Sequence, residues 1–227
     1  MTAVKPVVFL ACNVFNGLAR GQEGVRNQFM DVGLHATPKR LTTTLQAEID
    51  GIDEPSLIVL GYGLCGNGLH GIAAGKHTLV IPRADDCVAF FMGSRRRYME
   101  EFQANPGTYY LTKGWLEVGT DPLSEYERYQ EKYDPETAAW LMQEQYKHYK
   151  RLVFVSLSDE ESAQYRERVA AVATYCREQF GMAYEEMRGS GEFIADISSV
   201  LADQERIPES FIVVPAGKTL TMELFRD

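Results

Sequence analysis

Ser56-Leu-Ile-Val-Leu60 runs without a break into Gly61-Tyr-Gly-Leu-Cys65-Gly-Asn-Gly68. A short apolar run bounded by a glycine-dense loop reads as a strand buried on both faces, the kind that parallel sheets use. Upstream, Val7-Val-Phe-Leu-Ala-Cys12 reads the same way. Between the two, the pattern predicts a helix over Glu23–Met30 and a short strand near Gly33–Ala36. Pro38 then precedes a helix over Leu41–Ile49, which stops in the turn Asp50-Gly-Ile-Asp53. Downstream, the pattern predicts a short helix near Leu69–Ala74, a strand over Thr78–Pro82, a longer helix over Cys87–Phe102 and a strand over Thr108–Leu111. Strands alternating with helical segments predict a mostly parallel sheet covered on both faces.

Residues 121–150 depart from that rhythm. Asp121-Pro122 and Asp134-Pro-Glu136 each open a helix, as an acid and a proline in the first turn do. The segment is rich in tyrosine (Tyr126, Tyr129, Tyr133, Tyr146, Tyr149) and carries Trp140. It reads as a helical hairpin packed on the sheet edge, or as a lid or a surface for a second copy, since aromatic residues are enriched at interfaces. A second α/β block follows: strand Leu152–Ser156, helix Asp159–Phe180, strand Ala183–Met187, helix Gly191–Ala202 and strand Phe211–Pro215. The expected fold is therefore α/β, with two similar Rossmann-like half-units, mostly parallel sheets and the inserted hairpin. The boundaries fall at residues 1–120, 121–150 and 151–227. Open α/β sheets bind ligands at the carboxyl ends of their strands, so a cleft between the halves is the expected place for a site.

Composition narrows the function. The chain of 227 residues is 45% hydrophobic and 24% charged, ordinary for a globular protein. A formal charge of −9 argues against broad binding to nucleic acid or an anionic membrane. No apolar run approaches the roughly 20 residues of a membrane span. Met1-Thr-Ala-Val-Lys-Pro6 lacks the layout of a signal peptide, so a cytoplasmic protein with four reduced cysteines is expected.

Three of those cysteines occupy matching places. Cys12 ends the first strand, Cys65 sits in the loop after the third, and Cys87 follows Ile81-Pro-Arg-Ala-Asp-Asp86. If these strands are parallel, all three thiols share the ligand edge. Three thiolates with an open fourth position suit a catalytic zinc, and they could equally hold an iron–sulfur cluster. His70 is a candidate fourth ligand or a helix cap. The competing explanation is three small hydrophobes in a core. Cys176, inside a helix, reads as core.

Other polar groups fall in the same neighbourhood. Gly61-x-Gly63-x-x-Gly66 satisfies the dinucleotide pattern directly after a strand, with Asp85 and Asp86 roughly 20 residues on, where a ribose-binding acid belongs. The short following helix and the extra Asn67 and Gly68 depart from that pattern. One of Asp85 and Asp86 is expected to cap a helix while the other faces the cleft, and sequence does not say which. Arg83, Asn13 and Asn16 are nearby, and Thr112, Lys113 and Trp115 end another strand. Arg95, Arg96 and Arg97 spread around a helix and read as a solvated face. No nucleophile elbow, Walker loop or His-Glu-x-x-His occurs.

The strings Leu60–Gly68, Ile81–Cys87, Gly93-Ser-Arg95 and Pro106-Gly-Thr-Tyr-Tyr-Leu-Thr-Lys-Gly-Trp115 together resemble a family of bacterial and archaeal proteins catalogued as a domain of unknown function. The resemblance covers roughly residues 7 to 215. It implies a link with corrinoid-dependent methyltransferases, and it favours a thiolate site because Cys65 and Cys87 lie within these strings and Cys12 within the span.

The expected function is a metal or metal-cluster site on Cys12, Cys65 and Cys87, zinc favoured, that admits a small molecule in corrinoid-linked methyl metabolism. Asp85, Asp86 and His70 would supply acid/base groups or steady the ligands. Gly61, Gly63, Gly66, Asn67, Gly68, Asn13 and Arg83 would line the small-molecule position. Two alternatives stand beside it. One is a non-catalytic accessory protein that carries a cofactor and docks through the hairpin on a methyltransferase or corrinoid protein. The other is a nucleotide-dependent enzyme using Gly61–Gly66. No nucleic-acid or membrane partner is expected, and assembly of identical copies is compatible with the aromatic hairpin.

Overall fold

A computed structural model describes residues 5–18 and 24–226. The chain is a mixed α/β protein with two sheets. The first contains β1 (Val7–Cys12), β2 (Val25–Met30), β3 (Leu57–Gly61), β4 (Thr78–Pro82) and β8 (Phe211–Val214), in the order β2-β1-β3-β4-β8. Its first four strands are parallel, and β8 runs antiparallel to β4. The second is β5 (Thr108–Leu111), β6 (Arg151–Ser156) and β7 (Ala183–Arg188), all parallel. Two compact units result: residues 1–95 with 191–227, and residues 96–190.

In the first unit, β1 and β3 are buried along their whole length, which is why both consist of unbroken apolar residues. Helix α1 (Pro38–Asp50) buries Leu41, Leu45 and Ile49, an i, i+4, i+8 stripe. Helix α8 (Glu192–Ala202) packs on β3 and on α2 (Val88–Met92), where Phe193 meets Phe90 edge-on at 5.1 Å.

Several local expectations are corrected here. The segment expected as a helix over Glu23–Met30 is strand β2 from Val25 onward; Glu23 itself lies outside the described residues. As the outermost strand it pairs on one side only, so it tolerates the exposed Arg26 and Asn27 that break an apolar pattern. The short strand expected near Gly33–Ala36 is a 3-10 turn, Val32–Ala36, whose Gly33 N–H is held by the Asp31 carboxylate at 2.8 Å. No helix forms over Leu69–Ala74, because its backbone bonds go elsewhere. Gly71 N donates to Leu220 O (2.9 Å), Ala74 N to Lys218 O (2.8 Å), and Leu220 N to Ile72 O (2.8 Å). The long helix expected over Cys87–Phe102 is two, α2 and α3 (Arg95–Ala104), parted at Gly93, whose φ of +87° ends the first. The final strand, β8, completes the first sheet rather than the second.

The second unit has α4 (Lys113–Glu117), then α5 (Pro122–Lys132) and α6 (Pro135–Tyr146) as a helical hairpin, then α7 (Asp159–Phe180). Asp121 caps α5 through the N–H groups of Leu123 (3.1 Å) and Ser124 (3.0 Å), and Asp134 caps α6 through that of Thr137 (2.9 Å). Both helices pack on α7. The tyrosines divide: Tyr146 is buried in the core with Tyr126, Tyr129 and Tyr149 against it, whereas Tyr133 is 47% and Trp140 60% exposed.

Candidate functional site

The first sheet changes direction of travel between β1 and β3: the chain leaves β1 for β2 on one side, and β3 and β4 build on the other. The carboxyl ends of strands flanking such a switch are where α/β sheets bind ligands. Cys12 is the last residue of β1. Tyr62 and Cys65 follow β3, Cys87 follows β4, and Asp31 follows β2. The thiols therefore do share one edge, and all belong to the first unit.

The loops after β3 and β4 are sewn together beyond the sheet. Leu64 N donates to Ala84 O at 2.8 Å and Cys65 N to Asp85 O at 3.1 Å, so the pairing of β3 with β4 is taken up again at the site. Gly63 fits only because it has no side chain: a Cβ there would stand 2.7 Å from the Asp86 backbone. The outcome is a contact between Cys65 and Cys87, Sγ to Sγ 3.5 Å. Cys65 holds a φ of +46°, a left-handed conformation rare outside glycine and asparagine.

Each sulfur has its own setting. Burial pushes the Cys12 thiol up, with the nearby Cys87 adding, while the backbone N–H groups of Val14 and Asn13 pull the other way. Its contact with Cys65, followed by burial, raises Cys87 well above an ordinary thiol, opposed by the Gly63 N–H. Backbone N–H groups aimed at sulfur stabilise a thiolate acceptor, as they do around cluster-bound cysteines. Tyr62 is 2% exposed, and its hydroxyl has no hydrogen-bond partner. Burial holds that hydroxyl protonated, and Cys12, Cys87, Cys65 and Asp31 all reinforce the shift, so it lies within the electrostatic reach of every thiol at this edge. A buried hydroxyl left unpaired costs about 1–3 kcal/mol. Among the described residues, no group of three or more His, Cys, Asp and Glu side chains is placed so that it could hold a metal ion.

The remaining candidates separate clearly. Asp86 accepts the Val88 N–H (2.8 Å) at the start of α2, and burial raises its carboxyl, with the Val88 N–H and then His35 opposing. Asp85 is instead paired with Arg95. The capping acid is thus Asp86. His70 is exposed. Arg83 is turned to the C-terminal segment, where its guanidinium donates to Leu224 O. Asn13 opens a 3-10 turn, with its carbonyl taking the Asn16 N–H at 3.0 Å. Thr112, Lys113 and Trp115, expected at the thiol edge, follow β5 and so belong to the second sheet.

The glycine loop is explained by the chain itself. A Cβ on Gly61 would stand 2.5 Å from the Cβ of Ala11, and one on Gly68 would stand 2.6 Å from Leu41 Cδ2. Gly66 and Asn67 adopt φ of +62° and +72° in the turn. The loop does not open a helix, the context that a dinucleotide pattern requires.

Three groups of this edge escaped the sequence: Tyr62, Asp31 and His35. Tyr62 lay in plain view between Gly61 and Gly63, and its position one residue past a buried strand was the available signal. Asp31 and His35 were hidden by the misreading of β2, since an acid that follows a strand of the same sheet reaches the same edge.

The fold and this edge define a class: an α/β protein with cysteines at the carboxyl ends of the strands that flank its switch point. Residues 29–197 match the model of the family described as "Protein of unknown function (DUF1638)", and the chain belongs to that family. No curated protein and no solved structure matches it.

Proposed function

We propose that the protein holds a thiophilic metal, a zinc ion or an iron–sulfur cluster, on Cys12, Cys65 and Cys87, and presents it to a small molecule in corrinoid-linked methyl metabolism. The observation that carries this reading is the 3.5 Å contact between the Cys65 and Cys87 sulfurs. Two thiolates bound to one tetrahedral zinc at about 2.3 Å stand about 3.8 Å apart, so the pair is already close to the spacing a metal would impose. Cys12, the last residue of β1, would supply the third thiolate. The N–H groups of Gly63, Val14 and Asn13 support the sulfurs, and the Tyr62 hydroxyl, buried without a partner beside the same strand end, would be a donor to a bound ligand. A zinc held by thiolates supplies Lewis acidity toward a bound thiol or water.

Elemental analysis of protein purified without oxygen and without a metal-binding tag tests the reading, together with its visible spectrum. One equivalent of zinc or iron is expected, lost in each of Cys12→Ser, Cys65→Ser and Cys87→Ser. Full retention in all three variants overturns it.

An accessory role, carrying the metal or a cofactor to a methyltransferase or corrinoid protein, is favoured by one further observation: Trp140 and Tyr133 are exposed on the hairpin while its other aromatic residues pack inward. In that case Trp140→Ala with Tyr133→Ala weakens complex formation with the corrinoid protein and leaves metal content unchanged.

A further inference from the structure

The Cys65–Cys87 contact has a second chemical consequence. Their sulfurs are 3.5 Å apart, and a disulfide needs about 2.05 Å, so closure asks for an approach of about 1.5 Å. The loops that carry them are held in register by Leu64 N–Ala84 O and Cys65 N–Asp85 O, which keeps the two thiols together. Exposure differs between them: Cys65 is partly open to solvent, whereas Cys87, Cys12 and Cys176 are buried. Cys176 lies in the core of the other unit.

We infer that Cys65 and Cys87 form a site of thiol–disulfide exchange with a small-molecule disulfide, and that the resulting protein disulfide closes the thiolate site to metal. The exchange stands on the sulfur contact alone; the closure rests on the metal reading proposed above. Cys65, the accessible member, attacks first as its thiolate. A sulfur–sulfur bond forms to one half of the small disulfide and the original bond breaks. The half that leaves takes up the proton that Cys65 gave away. Cys87 then loses its proton and attacks Cys65 Sγ, and the second half departs as a thiol. One small disulfide and two protein thiols become one protein disulfide and two small thiols, with two electrons passing from the pair to the reagent. Cys12 is left as the single thiol at the edge, and one thiol does not hold a zinc.

The experiment uses the whole chain, reduced and stripped of metal, titrated with oxidised glutathione. Samples are quenched by alkylation before and after unfolding and mapped by peptide mass. Free thiols should fall from four to two, with Cys65 linked to Cys87 and with Cys12 and Cys176 alkylated only after unfolding. Cys12→Ser should give the same linkage. Glutathione retained on Cys65, a linkage involving Cys12, or no loss of thiols overturns the exchange. In a second arm, zinc is offered to reduced and oxidised protein. At least a tenfold loss of bound zinc on oxidation is expected, restored by dithiothreitol. Equal binding by both forms overturns the closure. If the reduced protein binds no zinc or iron, the metal reading fails, and the exchange is still decided by the thiol count.

Discussion

Asp85 and Arg95 are joined by two hydrogen bonds, Arg95 Nε to Asp85 Oδ2 at 2.7 Å and Nη2 to Oδ1 at 3.2 Å, in a side-on pair that spans the turn presenting Cys87. Two parallel N–H donors on one carboxylate fix orientation as well as charge. The acid and the arginine thus brace the segment that leads from β4 to Arg95.

Each side chain of that pair is about one-third exposed at 32%, so solvent screens much of the attraction and the pair contributes on the order of 0.5–1 kcal/mol. Asp85→Asn and Arg95→Ala should each lower Tm by about 1–4 °C. The double variant should be no worse than the weaker single one, because the same bond is lost in each. A thermal-shift double-mutant cycle measures this, and additive losses would show that the two side chains act apart.

Gly63 and Gly66 lie in one loop and need to be glycine for different reasons. A Cβ on Gly63 meets backbone at 2.7 Å, with no flexible side chain to yield. On Gly66 the nearest atom is Pro38 Cγ at 3.6 Å, and the constraint is the φ of +62°. Gly66→Ala should therefore cost about 1–2 kcal/mol, the ordinary left-handed penalty. Gly63→Ala should cost more, by about 1 kcal/mol or above, as a forced separation of two backbones does. It should also raise the reactivity of Cys87 toward alkylation, because the loop that covers it is pushed away. Urea denaturation with thiol counting checks both statements.

How much of this was open to sequence reading depends on where each backbone sends its hydrogen bonds. β1 and β3 were legible because both faces are buried and every residue says so. β2 was not, since an edge strand carries Arg26 and Asn27 toward solvent and shows no two-residue period. Leu69–Ala74 has helical spacing, yet Lys218 and Leu220 capture its backbone groups, and no local pattern reveals a partner nearly 150 residues away. The common edge of Cys12, Cys65 and Cys87 was legible from parallel strands alone. The neighbours of those thiols were not: Asp31 and His35 depended on β2, and the roles of Asp85 and Asp86 depended on Arg95 and on the Val88 N–H.

Buried hydroxyls without partners give a further test. Thr112 is fully buried, and its Oγ1 has no hydrogen-bond partner. Thr112→Val replaces that hydroxyl with a methyl group of similar shape, and stability should hold or rise by up to about 1 kcal/mol. Tyr62→Phe should behave alike in the metal-free protein. The two variants should part when metal is present. Loss of the Tyr62 hydroxyl should weaken the binding of an added anion such as azide to a cobalt-substituted site, read from the visible spectrum, whereas Thr112→Val should leave that spectrum unchanged. A Tyr62→Phe protein with unaltered azide binding would remove the hydroxyl from the site.

Cys176 ties stability to alkaline pH. Burial in the second unit's core, with Asp121 adding, pushes its thiol up to about 12, against the ordinary value of 9.0. The folded state therefore keeps a proton that the unfolded chain gives up, and stability falls as pH rises wherever the native form binds more protons. The contribution is complete below pH 9 and is lost progressively between pH 9 and 12. The shift of about three units corresponds to an upper bound of about 4 kcal/mol. Cys176→Ala abolishes this titration at the cost of a small cavity, so the variant should be less stable than the parent at pH 8. The gap in urea midpoint should then narrow steadily as pH is raised toward 11, because only the parent still has this proton to lose. A gap that stays constant from pH 8 to 11 would mean that the thiol is not shielded in the fold.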